Sequence, residues 1–152
     1  MQTEAWRALS PVAQALYVWL KLEWHGPDNN NNGKIRLSVR QAGYLLGVAR
    51  ATAALGFHDL QAKGFTVLTE PASLGYSGAA RPPAFELTEI ALPYGAERGG
   101  RRLYKKWREG HDFRVHKARA NNLSGANGKT KSHHKNHDST VIEMMSERKI
   151  TS

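Results

Sequence analysis

The chain has 152 residues, enough for one small domain with an appended segment, and it contains no cysteine. It therefore has no disulfide framework, no thiolate metal site and no cysteine nucleophile. We expect a cytoplasmic protein, because lack of cysteine suits a reducing compartment, the first residues do not form a signal peptide, and no apolar run approaches the ~20 residues that span a bilayer.

The net charge of +9 lies mostly in the C-terminal third. Residues 1–94 carry 8 Lys and Arg against 7 Asp and Glu, whereas residues 95–152 carry 14 against 6. A basic segment after a nearly neutral domain favours a polyanionic partner, most simply nucleic acid. An anionic membrane surface would require a long apolar helix face in this segment, which the sequence lacks, so we expect no membrane partner.

The first predicted helix begins at Ser10 and Pro11, which have the residue types of a helix cap and a first helical position. Its apolar stripe consists of Val12, Ala15, Leu16, Trp19 and Leu20. The run of four asparagines at positions 29–32 predicts a solvated connection, because asparagine favours turns and supplies no apolar side chain for a core. Alternation then predicts a short strand over residues 34–37.

Two short helices joined by a tight turn are predicted between Ser38 and Gly64. Ser38 can cap the first helix, whose apolar residues are Val39, Ala42, Leu45 and Leu46, and Gly47 ends it. The second helix begins near Ala49 and has on one face Ala53, Gly56, Phe57 and Leu60. This spacing is typical of a helix-turn-helix.

Alternating apolar residues predict two further strands, over residues 65–68 and 85–88, with a turn-rich loop over residues 71–83 between them. Two strands joined by such a loop form a wing. The predicted fold class is α+β, with a three-helix core and a small antiparallel sheet.

The stretch GKIRLSVRQAGYLLGVARATAALGFHDLQAKGF resembles the winged helix-turn-helix domains of bacterial regulators such as the GntR type, and of small phage, plasmid and integrative-element proteins. The resemblance covers roughly residues 8–93. It implies a DNA-binding fold but does not identify a target sequence. The chain departs from the family's pattern at Ala49, where such domains usually have a Ser, Thr or Asn cap.

The second helix of this pair would present its outer face to DNA. Arg50 can read a guanine, Thr52 can bond a phosphate near the helix N-terminus, and the other candidates are Ala51, Ala54, Leu55 and His58. Few of these side chains can read bases, so modest sequence specificity is expected. Arg50 and His58 could instead be solvated surface residues, and Leu55 could belong to a protein-binding patch.

Further candidate DNA contacts lie outside this helix. In the wing, Tyr76 and Arg81 can reach phosphate or the minor groove, although the loop could also make no contact at all. The remaining candidates are Arg36, Arg40, Arg101, Arg102, Lys105, Lys106 and Arg108.

Residues 94–119 interleave basic and aromatic residues and predict a short amphipathic helix, with Leu103, Tyr104 and Trp107 on one side. Its charges could clamp the DNA backbone, its apolar side could dock on the winged domain, or both could hold. Residues 120–152 are polar and are predicted to be disordered. The tract with His133, His134, His137 and Asp138 is better explained as solvated tail than as a metal site.

No catalytic motif is recognisable, and we expect no enzyme activity, cofactor or metal. The predicted function is double-stranded DNA binding in transcriptional regulation, or in replication or recombination accessory work of a phage or plasmid type. The alternative is a winged-helix module that binds a replication or transcription protein without reading DNA. The sequence does not distinguish a monomer from a homodimer.

Overall fold

A computed structural model describes residues 2–95 and 98–118. Within these ranges the helices are α1 (Glu4–Ala8), α2 (Pro11–Leu22), α3 (Val39–Leu46) and α4 (Arg50–Ala62). The strands are β1 (Ile35–Arg36), β2 (Thr66–Glu70), β3 (Ser73–Leu74), β4 (Ala80–Arg81) and β5 (Ala84–Leu87), and a 3-10 turn spans Leu103–Lys105. The prediction of an α+β fold with a small antiparallel sheet is confirmed. No helix in the described ranges is long and apolar enough to cross a membrane.

The helix boundaries follow local capping chemistry. The Ser10 side chain accepts a hydrogen bond from the Ala13 amide at 3.2 Å and caps α2, as predicted. Ser38 and Gln41 form a reciprocal capping box at the start of α3, and Gly47 ends this helix in the left-handed conformation, with φ of 66°. The short helix α1 was not predicted; it is capped by the Thr3 side chain.

The three main strands pair antiparallel in the order β1-β5-β2, so β2 and β1 form the two edges. Loop 71–83 is more regular than predicted, because β3 and β4 pair within it as a separate two-stranded hairpin. The hairpin continues from the end of the sheet where Glu70 lies opposite Ala84.

A single core lies between the helices and the sheet. The aromatic rings of Trp6, Tyr17 and Phe65 meet edge to face, with centroids 5.5 to 5.7 Å apart. Phe57 of α4 stacks on Phe85 of β5 with centroids 5.2 Å apart. Leu45, predicted on the buried side of α3, is instead exposed, because α3 faces α4 through Ala42 and Gly43.

The prediction that the asparagine run is only a solvated connection is wrong. Asn32 is 2% exposed, its side-chain amide donates to the carbonyls of Leu87 and Ile90, and its Oδ1 accepts from the Leu87 amide at 2.7 Å. Asn30 bridges the Trp24 indole and the Ala91 carbonyl. These amide side chains satisfy backbone groups where β5 ends, and one asparagine is therefore part of the core.

The segment 98–118 packs in the same compact unit as the helices and the sheet; we call it the docked extension. The predicted amphipathic helix is absent from it, since only the single 3-10 turn forms. Arg102 adopts a left-handed conformation, with φ of 49°, and Gly110 has φ of 80°, so the backbone cannot continue as one helix. Residues 119–152, including the predicted disordered tail, lie outside the described residues.

Candidate nucleic-acid interface

Helix α4 is oriented by one buried face. Ala53, Gly56, Phe57 and Leu60 are buried against α2 and α3. At Gly56 an added Cβ would lie 3.3 Å from side-chain carbons of both Val12 and Leu16, so the two helices approach closely there. The packing leaves the opposite face of α4 directed outward.

The outward face of α4 carries the residues predicted from the sequence. Arg50, Ala51 and Leu55 are exposed, whereas Thr52, Ala54 and His58 are half-buried. Partial burial, followed by the charge of Lys117, lowers the pKa of His58 below its usual range. The lowered pKa reduces the charged fraction of His58 at pH 7, so this side chain contributes little charge to the face.

The N-terminus of α4 has no side-chain cap, since Ala49 supplies only its backbone. The first-turn amides of a helix have no partner within the helix and attract anionic groups. The side chain of Arg50 is exposed beside these amides. This end of α4 therefore combines an exposed cation with amides that attract anions.

Helix α3 adds an exposed arginine and an exposed tyrosine. Arg40 and Tyr44 stand four residues apart on one side of the helix, and Tyr44 is 88% exposed. Tyr44 was not among the predicted contacts, although its spacing from Arg40 was a signal that could have found it. A tyrosine hydroxyl at such a place can donate to a phosphate oxygen.

The hairpin β3–β4 carries two exposed candidates, Tyr76 and Arg81. Its turn is closed by the Gly75 amide, which donates to the Ala79 carbonyl at 2.7 Å, and by Gly78, whose φ is 78°. Tyr76 is thus held on an ordered turn and Arg81 on the strand that follows it, both with their side chains in solvent.

Arg36, also predicted as a DNA contact, is engaged inside the protein. Its guanidinium pairs with the Glu70 carboxylate and donates to the Pro82 carbonyl at 2.6 Å. These contacts join β1 to the base of the hairpin. The structure therefore gives Arg36 a role in positioning the hairpin.

In the docked extension, Arg101 is likewise engaged. Its guanidinium makes two hydrogen bonds to Glu86, of 3.0 and 2.5 Å, and Glu86 is only 3% exposed. A buried carboxylate requires such a partner. The other predicted cations of the extension are exposed: Arg102, Lys105, Lys106 and Arg108.

Aromatic residues hold the extension in place. Tyr104 stacks on Phe65 with centroids 4.7 Å apart. Trp107 is buried, its indole donates to Asp112 at 2.8 Å, and the Lys63 ammonium lies 5.6 Å from its ring centroid. The Phe113 amide donates to the Ala62 carbonyl at the end of α4.

The cations of the hairpin and the cations of the docked extension lie at opposite ends of the sheet. The hairpin begins where Glu70 lies opposite Ala84, whereas the extension is attached at the other end, where the Arg102 amide donates to the Thr88 carbonyl at 2.7 Å. The extension then returns along α4, with the His116 amide donating to Gln61 Oε1 at 2.9 Å. This returning part carries two exposed cations, Arg114 and Lys117, which were not among the predicted contacts.

Within residues 2–95 and 98–118, no three His, Asp or Glu side chains form a group that could hold a metal ion. The candidate surface consists of exposed cations, the tyrosines Tyr44 and Tyr76, the apolar side chains of α4 and its uncapped first-turn amides. Comparison with known proteins found no matching family model, curated protein or solved structure.

Proposed function

We propose that this protein binds double-stranded DNA as a winged helix-turn-helix domain, with α4 in the major groove and the β3–β4 hairpin as the wing. The observation that carries the proposal is the outward face of α4, which combines Arg50, uncapped first-turn amides and small side chains. Small side chains allow a helix to approach base edges closely, and Arg50 supplies a donor pair for guanine.

The topology supports the same proposal. Helix, strand, two helices, strand, hairpin and strand follow one another in the chain, and the sheet order β1-β5-β2 places the hairpin beyond its central and edge strands. Arg40 and Tyr44 of α3 would contact the backbone beside the groove, and Tyr76 and Arg81 would do so from the hairpin.

The proposed specificity is modest. On the outward face of α4, Arg50 is the strongest candidate for reading bases, while Ala51, Ala54 and Leu55 can contact only thymine methyl groups. The exposed lysines of the docked extension would add affinity that does not depend on sequence. This combination suits either transcriptional control or accessory work in replication or recombination.

Two leucines provide a matched test. Leu55 on α4 is 66% exposed and Leu22 at the end of α2 is 67% exposed. Replacing either leucine by Glu therefore adds the same charge and removes a similar, small amount of buried apolar surface. We expect Leu55→Glu to weaken duplex binding strongly, because the carboxylate would face phosphates, and Leu22→Glu to change it little. Fluorescence anisotropy with a labelled duplex measures both. Equal effects of the two substitutions would remove α4 from the proposed interface.

A second candidate function, binding of a protein partner, is favoured by Leu55. Leu55 and Tyr44 are large, exposed side chains on neighbouring helices, and such residues also mark protein-binding surfaces. Salt distinguishes the two functions, since duplex binding falls steeply with ionic strength whereas an apolar contact does not. Selection of bound sequences from random DNA would then reveal a preferred site, and a two-fold symmetric site would indicate a homodimer.

A further inference from the structure

A cavity lies between the edge strand β2, the end of α4 and the docked extension. Its volume is about 340 Å³, within the range of small-molecule sites. Its apolar walls come from Val67 and Leu68 on β2 and from Leu103 and Phe113 on the extension. None of the predicted DNA contacts lines it.

The polar residues on the wall of this cavity differ in whether a ligand can reach them. Thr66 is 1% exposed, and its hydroxyl makes no hydrogen bond to any described residue. This hydroxyl is closed off from solvent, so a ligand in the cavity does not reach it while the wall keeps its place. Arg114 also lines the cavity and is exposed, and the described lining residues include no carboxylate to neutralise it.

The cavity wall is held in place before any ligand binds. Gln61 donates to the Phe57 carbonyl and accepts from the His116 amide, which fixes the last part of the extension against α4. The Phe113 amide is bonded to the Ala62 carbonyl at 2.9 Å. A wall formed in advance reduces the entropy that a ligand must lose on binding.

We propose that this cavity binds a small aromatic carboxylic acid. The Arg114 guanidinium would pair with the carboxylate in bidentate geometry, and the apolar walls would cover the ring. The site is separate from the DNA-binding proposal and does not depend on it.

The probe is 6-hydroxy-2-naphthoate, with 6-hydroxy-2-naphthamide as its neutral counterpart, and binding to the full chain is followed by NMR without DNA. We expect saturable shifts of the amide signals of Gln61, Thr66 and Leu68 with the acid and affinity at least about tenfold weaker for the amide, because the charged pair with Arg114 is lost. No saturable shift up to about 5 mM, or equal affinity for acid and amide, would overturn the proposal.

Three variants test the assignment of the residues. Arg114→Gln should weaken binding of the acid about tenfold, while Lys105→Gln, an exposed lysine of the extension outside the cavity, should leave it unchanged. Thr66→Val should leave both binding and the Tm of the ligand-free protein unchanged, since the hydroxyl is buried behind the wall and a methyl group of similar shape replaces it. Equal binding by the Arg114 and Lys105 variants would contradict the carboxylate role of Arg114.

Discussion

The exposed cations of α3, α4 and the hairpin differ from those of the docked extension in how the backbone that carries them is ordered. Arg40, Arg50 and Arg81 stand on helices and a hairpin whose boundaries are set by caps and turns close in sequence. The extension has almost no regular secondary structure and is held by side chains that contact distant residues, such as Tyr104 on Phe65.

This difference shows two routes to an ordered basic surface. Backbone hydrogen bonds order the helices, so their exposed residues can vary without loss of fold. The extension is ordered by buried aromatic and charged side chains and by a few backbone hydrogen bonds to the sheet and α4, so its anchoring side chains cannot vary freely even though its lysines can. The following predictions test this contrast, from the largest expected effect to the smallest.

Trp107→Ala should cause the largest loss. Trp107 is buried and its indole is hydrogen-bonded to Asp112, so its removal leaves a cavity and detaches the middle of the extension. We expect the free energy of unfolding to fall by about 3 to 5 kcal/mol, measured by urea denaturation. Tyr94→Ala is the control, because this tyrosine is almost fully exposed. Similar losses in the two variants would mean that the extension is not anchored through Trp107.

Arg50→Ala tests the outward face itself. We expect a loss of about 1 to 3 kcal/mol in binding to the selected DNA sequence and a smaller loss on random duplex, since Arg50 is the proposed base reader. Stability should not change, because the side chain is exposed. Equal weakening on both DNAs would identify Arg50 as a phosphate contact, and no weakening would favour the protein-binding alternative.

The exposed lysines of the extension should affect the salt dependence and the sequence-independent affinity of DNA binding, and not the stability of the fold. Replacing Lys105 and Lys106 together by Gln should reduce the slope of log affinity against log salt by about 2, if each lysine contacts one phosphate. Arg101→Gln is the informative comparison: it leaves the Glu86 carboxylate without this partner and should lower stability instead. An unchanged slope in the double lysine variant would make these residues a solvated surface.

The smallest expected effect is a pH dependence of stability that comes from Glu89, at the junction between the sheet and the extension. Burial alone would raise the pKa of Glu89, but hydrogen bonds from Tyr17 and Lys21, with the Lys21 charge, outweigh it and lower the pKa below the usual 4.5. A carboxyl with a lowered pKa in the folded state stabilises the protein above pH 4.5, and this contribution is lost as the pH falls further. Glu89 is partly exposed, so the loss should be under about 1 kcal/mol.

Urea titrations at a series of pH values measure this contribution. Glu89→Gln should flatten the fall in the free energy of unfolding below pH 4.5, relative to the unchanged protein. Burial, followed by the hydrogen bond and charge of Glu89, raises the pKa of Tyr17 above its usual value, so the tyrosine stays protonated at these pH values. An equal fall in both proteins would assign the acid sensitivity to other carboxylates.

The sequence by itself determined the elements whose signals are local. Ser10, Ser38 and Gly47 predicted helix ends correctly, because caps depend on residues within one turn of the helix. Alternation predicted β1, β2 and β5 but not the short strands β3 and β4, and spacing placed Phe57 and Leu60 on the buried side of α4. The outward positions of Arg50, Ala51 and Leu55 followed from the same periodicity.

Only the tertiary structure decided the rest, because the partners are far apart in the chain. Asn32 became a core residue by bonding backbone groups of Leu87 and Ile90, which composition cannot predict. Arg36 and Arg101 are paired with carboxylates of the fold, Glu70 and Glu86, although the Arg101 side chain remains 47% exposed. The extension took an irregular path, since burying Trp107 and stacking Tyr104 on Phe65 outweighed its weak preference for a helix.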